Sequence, residues 1–199
     1  YLEHLDPEYL RYYFAAKLGP HVDDMDLNLE DFVQRVNSDL VGKVVNIASR
    51  CAGFLRKRFG NQLSAQCTEP ELIGELITAG DSIAELYEAR DFQRAMREII
   101  ALADRANQYI DDKKPWVLAK EDGREQDVQD ACSVGINCFR VLMTYLKPVL
   151  PQMAQKSELF LGLSLDWTAL NAPLQGHVIN DFSPLIQRVD PDAVNAMVE

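Results

Sequence analysis

Residues 28–59, NLEDFVQRVNSDLVGKVVNIASRCAGFLRKRF, read as one continuous helix with two usable faces. Leu29, Phe32, Val33, Val36, Leu40, Val44, Ile47, Cys51, Phe54 and Leu55 recur at steps of three and four, the period of a stripe buried against other helices. Beside that stripe, Lys43, Asn46, Arg50 and Lys57 recur at similar steps, so they stack along one side of the same helix. No carboxylate occurs between Lys43 and Phe59, which leaves that side basic. At about 1.5 Å per residue the helix spans roughly 45 Å, and Asn37-Ser38 and Gly42 are where a bend is expected.

Working outward, Asp6-Pro7-Glu8 marks an earlier helix start, with Asp as N-cap and Pro in the first helical position, and that helix stops at Gly19-Pro20. An acidic connector over 21–28 leads into the long helix, with Asn28 as its cap. Thr68-Glu69-Pro70-Glu71 reads as a capping box for the next helix, whose inner face carries Leu72, Ile73, Leu76, Ile77, Ile83, Leu86 and Tyr87. Phe92, Ala95, Met96, Ile99, Ala103, Ala106 and Ile110 give another inner face. A further helix runs from about Glu125 to Lys147, with Val128, Cys132, Phe139, Leu142, Met143 and Leu146 inward and Pro148 and Pro151 beyond its end. The expected fold is all-α: an antiparallel helix bundle, preceded by an N-terminal helical connective segment and followed by an irregular C-terminal tail ending in a short helix.

Composition narrows the function classes. The chain has 199 residues, a formal net charge of -11, 47% hydrophobic and 26% charged residues, which is the profile of a soluble globular protein. No apolar run is long enough to span a membrane and no signal-peptide pattern is present, so a cytoplasmic setting is expected. The first residue is Tyr1 rather than Met, which raises the expectation of a segment of a longer chain. Cys51, Cys67, Cys132 and Cys138 form no C-x-x-C pair, and His4, His21 and His177 are scattered. Neither a metal site nor a catalytic residue is therefore proposed. Against the acidic background the basic stripe stands out, because a polyanion repelled at long range must meet a local positive patch. A solvated polar face is the other meaning of the same stripe. Trp116 is equally two-sided. Pro115 fixes the backbone before it and Lys113, Lys114 and Lys120 flank it, as suits a platform on which a stacked base contributes on the order of 1–3 kcal/mol. It could also simply close the end of the bundle.

Four segments, in this order and spacing, resemble the C-terminal part of bacterial methionyl-tRNA synthetases, a class I aminoacyl-tRNA synthetase family: YLEHLDPEYLRYYFAAKLG at 1–19, DLNLEDFVQRVNSDLVGKVVNIASRCAGF at 26–54, KPWVLAK at 114–120 and LMTYLKPVLP at 142–151. The resemblance implies a stem-contact segment at 1–42, an anticodon-binding bundle at 43–162, and a tail at 163–199 that packs back across the bundle. It implies recognition of the CAU anticodon of methionine tRNAs, elongator and initiator, on behalf of a ligase that joins methionine to tRNA using ATP. The family's anticodon-reading Asn, Arg and Pro-Trp fall on Asn46, Arg50, Pro115 and Trp116. By the same resemblance Asp111 discriminates against wrong anticodons. Lys43, Lys57 and Lys114 are candidates for phosphates, and Arg11 and Tyr12, with Tyr13, for contact with the tRNA stem. The ATP signatures His-Ile-Gly-His and Lys-Met-Ser-Lys-Ser do not occur. ATP, magnesium and zinc are thus expected in the catalytic domain of the same parent chain, which is also an expected partner, and this chain alone is expected to be inactive. No DNA or membrane partner is implied. The alternatives are the anticodon module of another class I synthetase, cysteinyl or valyl, and a helical protein-interaction scaffold.

Overall fold

The computed structural model describes residues 1–21 and 24–196, so part of the acidic connector and the last three residues lie outside the described residues. Its helices are α1 (Pro7–Lys17), α2 (Leu29–Arg35), α3 (Asn46–Phe59), α4 (Pro70–Glu88), α5 (Phe92–Lys113), α6 (Pro115–Leu118), α7 (Glu125–Leu146), α8 (Pro151–Leu161) and α9 (Pro191–Asn195). A 3-10 turn covers Trp167–Ala169. Among the described residues no strand is formed, only an isolated bridge between Gln62 and Val178. Among the described residues no helix is long and apolar enough to cross a membrane.

α2 and α3 are two ends of one rod, joined without a break by a π-helical stretch, Val36–Val45. Asn28 starts the rod, its side chain accepting the Asp31 N–H, and Gly60 ends it in the left-handed conformation at φ 58°. Asn37, Ser38 and Gly42 all lie inside the π stretch. A Cβ on Gly42 would stand 3.2 Å from the carbonyl oxygen of Asn37, five residues back, so the wider winding favours a residue with no side chain there. Asn37 also holds the C-terminal tail: its amide nitrogen donates to Val189 O at 3.0 Å and its oxygen accepts from Val189 N at 2.7 Å.

α7 is the axis of the fold. Every residue from Ala131 to Leu146 is buried, Ser133, Asn137, Arg140 and Thr144 included. That corrects the expectation of one inward stripe on this helix. Ser133 accepts from Ser64 N and Thr144 donates back to Arg140 O, while Asn137 and Arg140 face the irregular tail, whose backbone has no ladder of its own and needs partners inside the protein. Asn137 donates to Leu174 O and accepts from Leu174 N, while Arg140 donates to Ala172 O and Ala169 O. The apolar side packs at backbone distance: an added Cβ on Gly135 would lie 2.6 Å from Cys51 Sγ, and one on Gly80 2.7 Å from the Tyr145 hydroxyl.

Two other expectations are corrected by packing. The Thr68–Glu71 capping box does not form: Glu69 is the N-cap of α4 without a side-chain cap bond, and its carboxylate instead pairs with Lys113 at 2.7 Å. The helix starts one residue later than the box requires, which leaves Thr68 outside the cap position. Tyr12, a candidate for RNA contact, is fully buried and donates to Asp39 at 2.9 Å, and Tyr13 is buried as well. Their rings are core, so they cannot touch a stem. Arg11 is exposed and donates to Val149 O at 2.8 Å and Pro148 O at 3.1 Å, in the turn between α7 and α8. Glu8, buried beside it, accepts the Gln152 and Met153 N–H groups at the start of α8.

One titration follows from the junction of α7, α8 and the tail. The Lys147 ammonium, 2.7 Å from Glu158, holds the Glu158 carboxyl below its ordinary range, and the Leu165 N–H adds to this. Asp31 is lowered in the same way by Lys17. A folded-state pKa below the unfolded one gives stability that is present above the unfolded value and is lost as pH falls through the folded value. The melting temperature is therefore expected to drop between about pH 5 and pH 3, and Lys147→Gln to flatten that slope in a pH series of thermal melts. An unchanged slope in the variant would remove Lys147 from the explanation.

Candidate nucleic-acid interface

The basic stripe faces α5, and the two helices run parallel with a constant offset. Lys43 Nζ pairs with Asp104 at 2.9 Å, Asn46 Nδ2 donates to Asn107 Oδ1 at 3.1 Å, and Arg50 pairs with Asp111 at 2.5 Å; all three partners are 61 residues apart in sequence. Of the α5 rungs, Asp111 alone was expected at the site. Asp104 and Asn107 were not, although Asp104, Asn107 and Asp111 repeat the three-and-four spacing of Lys43, Asn46 and Arg50. That mirrored spacing is the signal in the sequence that could have found them.

Asn107 fixes the orientation of Asn46. Its amide nitrogen donates to Lys43 O at 3.0 Å and Ala103 O at 2.9 Å, so only its oxygen is left to face Asn46. The Asn46 amide therefore turns its nitrogen toward α5, leaving its oxygen and a second N–H for an incoming group.

Trp116 arrives at the same place by a sharp reversal. Lys114 takes the left-handed conformation at φ 48° and closes α5, since the residue before a proline disfavours the helical region. Pro115 then opens α6 from its first position. Trp116 thus stands on a short helix rather than on the loop expected from sequence, and Pro115 is buried beneath it, a support rather than a contact surface. Arg58 of α3 donates to the Ala119 carbonyl and ties down the far end of α6. The indole is half-buried, and the Arg50 guanidinium lies over it, 4.4 Å from the ring centroid. Arg50 is thereby held between an aromatic face and a carboxylate, with 24% of its side chain accessible against 54% for Asp111.

Asn46, Arg50 and Trp116 are therefore brought together, with Asp111 completing the cluster. Lys57 and Lys114 are exposed at its border, whereas Lys43 is tied to Asp104. Arg11 and Tyr12 belong elsewhere in the fold. Among the described residues no three His, Cys, Asp or Glu side chains converge to hold a metal ion. What the cluster offers is an aromatic plane, a planar fork of donors and an amide, the set that single-stranded bases stack on and pair with.

Comparison with known proteins gives the same indication. The family model described as the anticodon binding domain of methionyl tRNA ligase matches residues 61–180, and that of tRNA synthetases class I (M) matches 1–52. Solved structures of Mycobacterium tuberculosis methionyl-tRNA synthetase share the fold. Its apo form superposes with a TM-score of 0.84 at 22% identity, covering 95% of this chain and 40% of that one. A complex with methionyl-adenylate gives 0.81 at 21%, covering 92% and 38%. The chain thus spans well under half the length of those enzymes.

Proposed function

The chain belongs to the family of methionyl tRNA ligase anticodon-binding domains, and from that membership we propose that it reads the CAU anticodon of methionine tRNAs, elongator and initiator, for a longer methionine–tRNA ligase. The observation that carries this is the convergence of Asn46 and Arg50 of α3 with Trp116 of α6 on one face, from two helices far apart in sequence. In the proposed mechanism the anticodon bases splay out and one stacks on Trp116. Arg50, which rests on that ring in the free chain, moves to a base edge. Arginine has donors only and so requires acceptors on that edge, while the free oxygen and N–H of Asn46 require a donor and an acceptor. A wrong base leaves one of these groups unpaired, at a cost of about 1–3 kcal/mol. Asp111, once Arg50 has turned away, disfavours bases that present acceptors to it. Lys57 and Lys114 serve phosphates without sequence preference, and Lys43 can join them by releasing Asp104.

In this proposal residues 1–42 adjoin the catalytic domain and the tRNA stem, 43–162 form the reading bundle, and 163–199 brace it. The helical rod runs unbroken through residue 42, so the two parts would move as one body. Activation of methionine with ATP, and any magnesium or zinc, belongs to the rest of the proposed parent enzyme, which would work in the cytoplasm. This chain alone would not charge tRNA.

The test is binding to a CAU anticodon stem-loop against stem-loops with each single base changed, at one fixed salt concentration. CAU is expected to be preferred by roughly tenfold or more over each change, and Asn46→Ala to relax the preference at one position while keeping it at the others. Equal, weak binding to every loop would sink the proposal.

A further inference from the structure

The winding of the rod changes where the spacing of its buried residues changes. Phe32, Val36, Leu40 and Val44 follow one another at steps of four, and all four are buried. At α-helical pitch a step of four overshoots a full turn by about 40°, so three such steps would carry Val44 about 120° round from Phe32. The wider turns of Val36–Val45 hold more residues each and take that drift back, which keeps the four on one side. Beyond them the buried positions broaden to adjacent pairs, Ile47 with Ala48 and Cys51 with Ala52, as a stripe drifting round an α-helix requires.

Over its ten residues the wide winding completes roughly half a turn less than an α-helix would. Wound as α throughout, the rod would turn Asn46 and Arg50 to the side away from α5, and their bonds to Asn107 and Asp111 could not form. A π stretch of this length exceeds the usual single turn and needs support. Support comes from three elements. Asn37 exchanges two hydrogen bonds with Val189 of the tail, the Tyr12 hydroxyl of α1 donates to Asp39 at 2.9 Å, and Asn107 of α5 donates to the Lys43 carbonyl at 3.0 Å.

We propose that the π-helical winding of Val36–Val45 is the element that aims the anticodon reader, with Asn37 and Gly42 as its positioning residues. This rests on the anticodon-reading proposal and extends it to two residues that touch no base. Asn37 acts by tying the wide turns to the tail. Gly42 acts by leaving the Asn37 carbonyl uncrowded, since an added Cβ would stand 3.2 Å from that oxygen. Alanine at 42 both crowds the carbonyl and favours α winding more than glycine does, so it biases the stretch toward the pitch that turns the reader away.

Two measurements on Gly42→Ala test this. The first is the preference for a CAU stem-loop over single-base changes, expected to fall from roughly tenfold or more to under about threefold while binding to a mismatched loop stays within about twofold. The second needs no RNA. Asn46→Ala and Asn107→Ala should be non-additive in urea midpoint in the wild-type background, and that coupling should vanish in Gly42→Ala. Gly74→Ala, which adds the same methyl to α4 where no atom lies within 4 Å, should change neither. Asn37→Ala removes the tail tether without adding an atom and should lower both; it decides the matter if Gly42→Ala does not fold. A folded Gly42→Ala chain that keeps both the CAU preference and the coupling would overturn the assignment and leave the reading cluster standing. Equal losses on every loop with the coupling intact would also overturn it, as the mark of a general structural defect. If wild type shows no CAU preference, the anticodon proposal fails by itself, and the coupling still decides whether the winding aims Asn46 at Asn107.

Discussion

Trp116→Ala is expected to weaken binding to a CAU stem-loop by one to two orders of magnitude, corresponding to about 1–3 kcal/mol for one base stacked on an aromatic ring. The expectation is large because the side chain has two partners to lose. In the free chain the indole holds Arg50 in place from below, 4.4 Å from the guanidinium. In the complex the same face would hold the base. Without the ring Arg50 keeps only Asp111, and that pair then competes directly with the base edge. Folding should survive the change, since α6 is anchored by the buried Pro115 and by Arg58 rather than by the indole alone. Trp116→Phe keeps a smaller plane and should recover part of the loss. An alanine variant that binds as tightly as wild type, or a phenylalanine variant no better than alanine, would refute the platform role.

The second large effect lies in the core. Gly135→Ala places a Cβ 2.6 Å from Cys51 Sγ and 3.3 Å from Ile110 Cδ1, closer to the sulfur than real contacts allow. Overpacking of this kind destabilises by typically 1–3 kcal/mol. Neither neighbour is a flexible surface group: Cys51 and Ile110 are completely buried. Relief therefore requires α3 and α5 to move off α7. Cys51 follows Arg50 in sequence and Ile110 precedes Asp111, so the displacement reaches the reading pair directly. Both the urea midpoint and the stem-loop affinity should fall. Cys51→Ala removes the sulfur, and the double variant should be more stable than the two single changes predict by addition. A Gly135→Ala chain that unfolds at the wild-type midpoint would show that the helices are not in the close contact described.

Much of this was legible in the sequence, for a physical reason. Apolar residues at steps of three and four can be buried together only on a helix, so the rod from Leu29 to Phe59 and its neighbours follow from spacing alone. The polar stripe beside them was visible for the same reason. What periodicity does not carry is which helix lies alongside. Asp104 and Asn107 meet Lys43 and Asn46 only through packing, and nothing local to residues 43–50 marks them. Ser133, Asn137, Arg140 and Thr144 were illegible in a different way. On a helix they look like a solvent face, yet Asn137 and Arg140 are buried against an irregular tail that needs donors and acceptors, Ser133 accepts from the Ser64 N–H, and Thr144 bonds back to its own helix. Tyr12 misled as amphipathic side chains do, since a phenol suits a wet surface and also a core with one carboxylate within reach.

The guanidinium resting on Trp116 bears on how the chain behaves in solution when no RNA is present. A bare indole on a protein's rim is a sticky patch, and beside it Val117 already exposes 41% of its surface. With Arg50 covering one face, water meets a charged, hydrated group instead of a flat apolar plane. The side chain proposed to select a base thus also covers, in the free chain, an apolar face that would otherwise favour self-association.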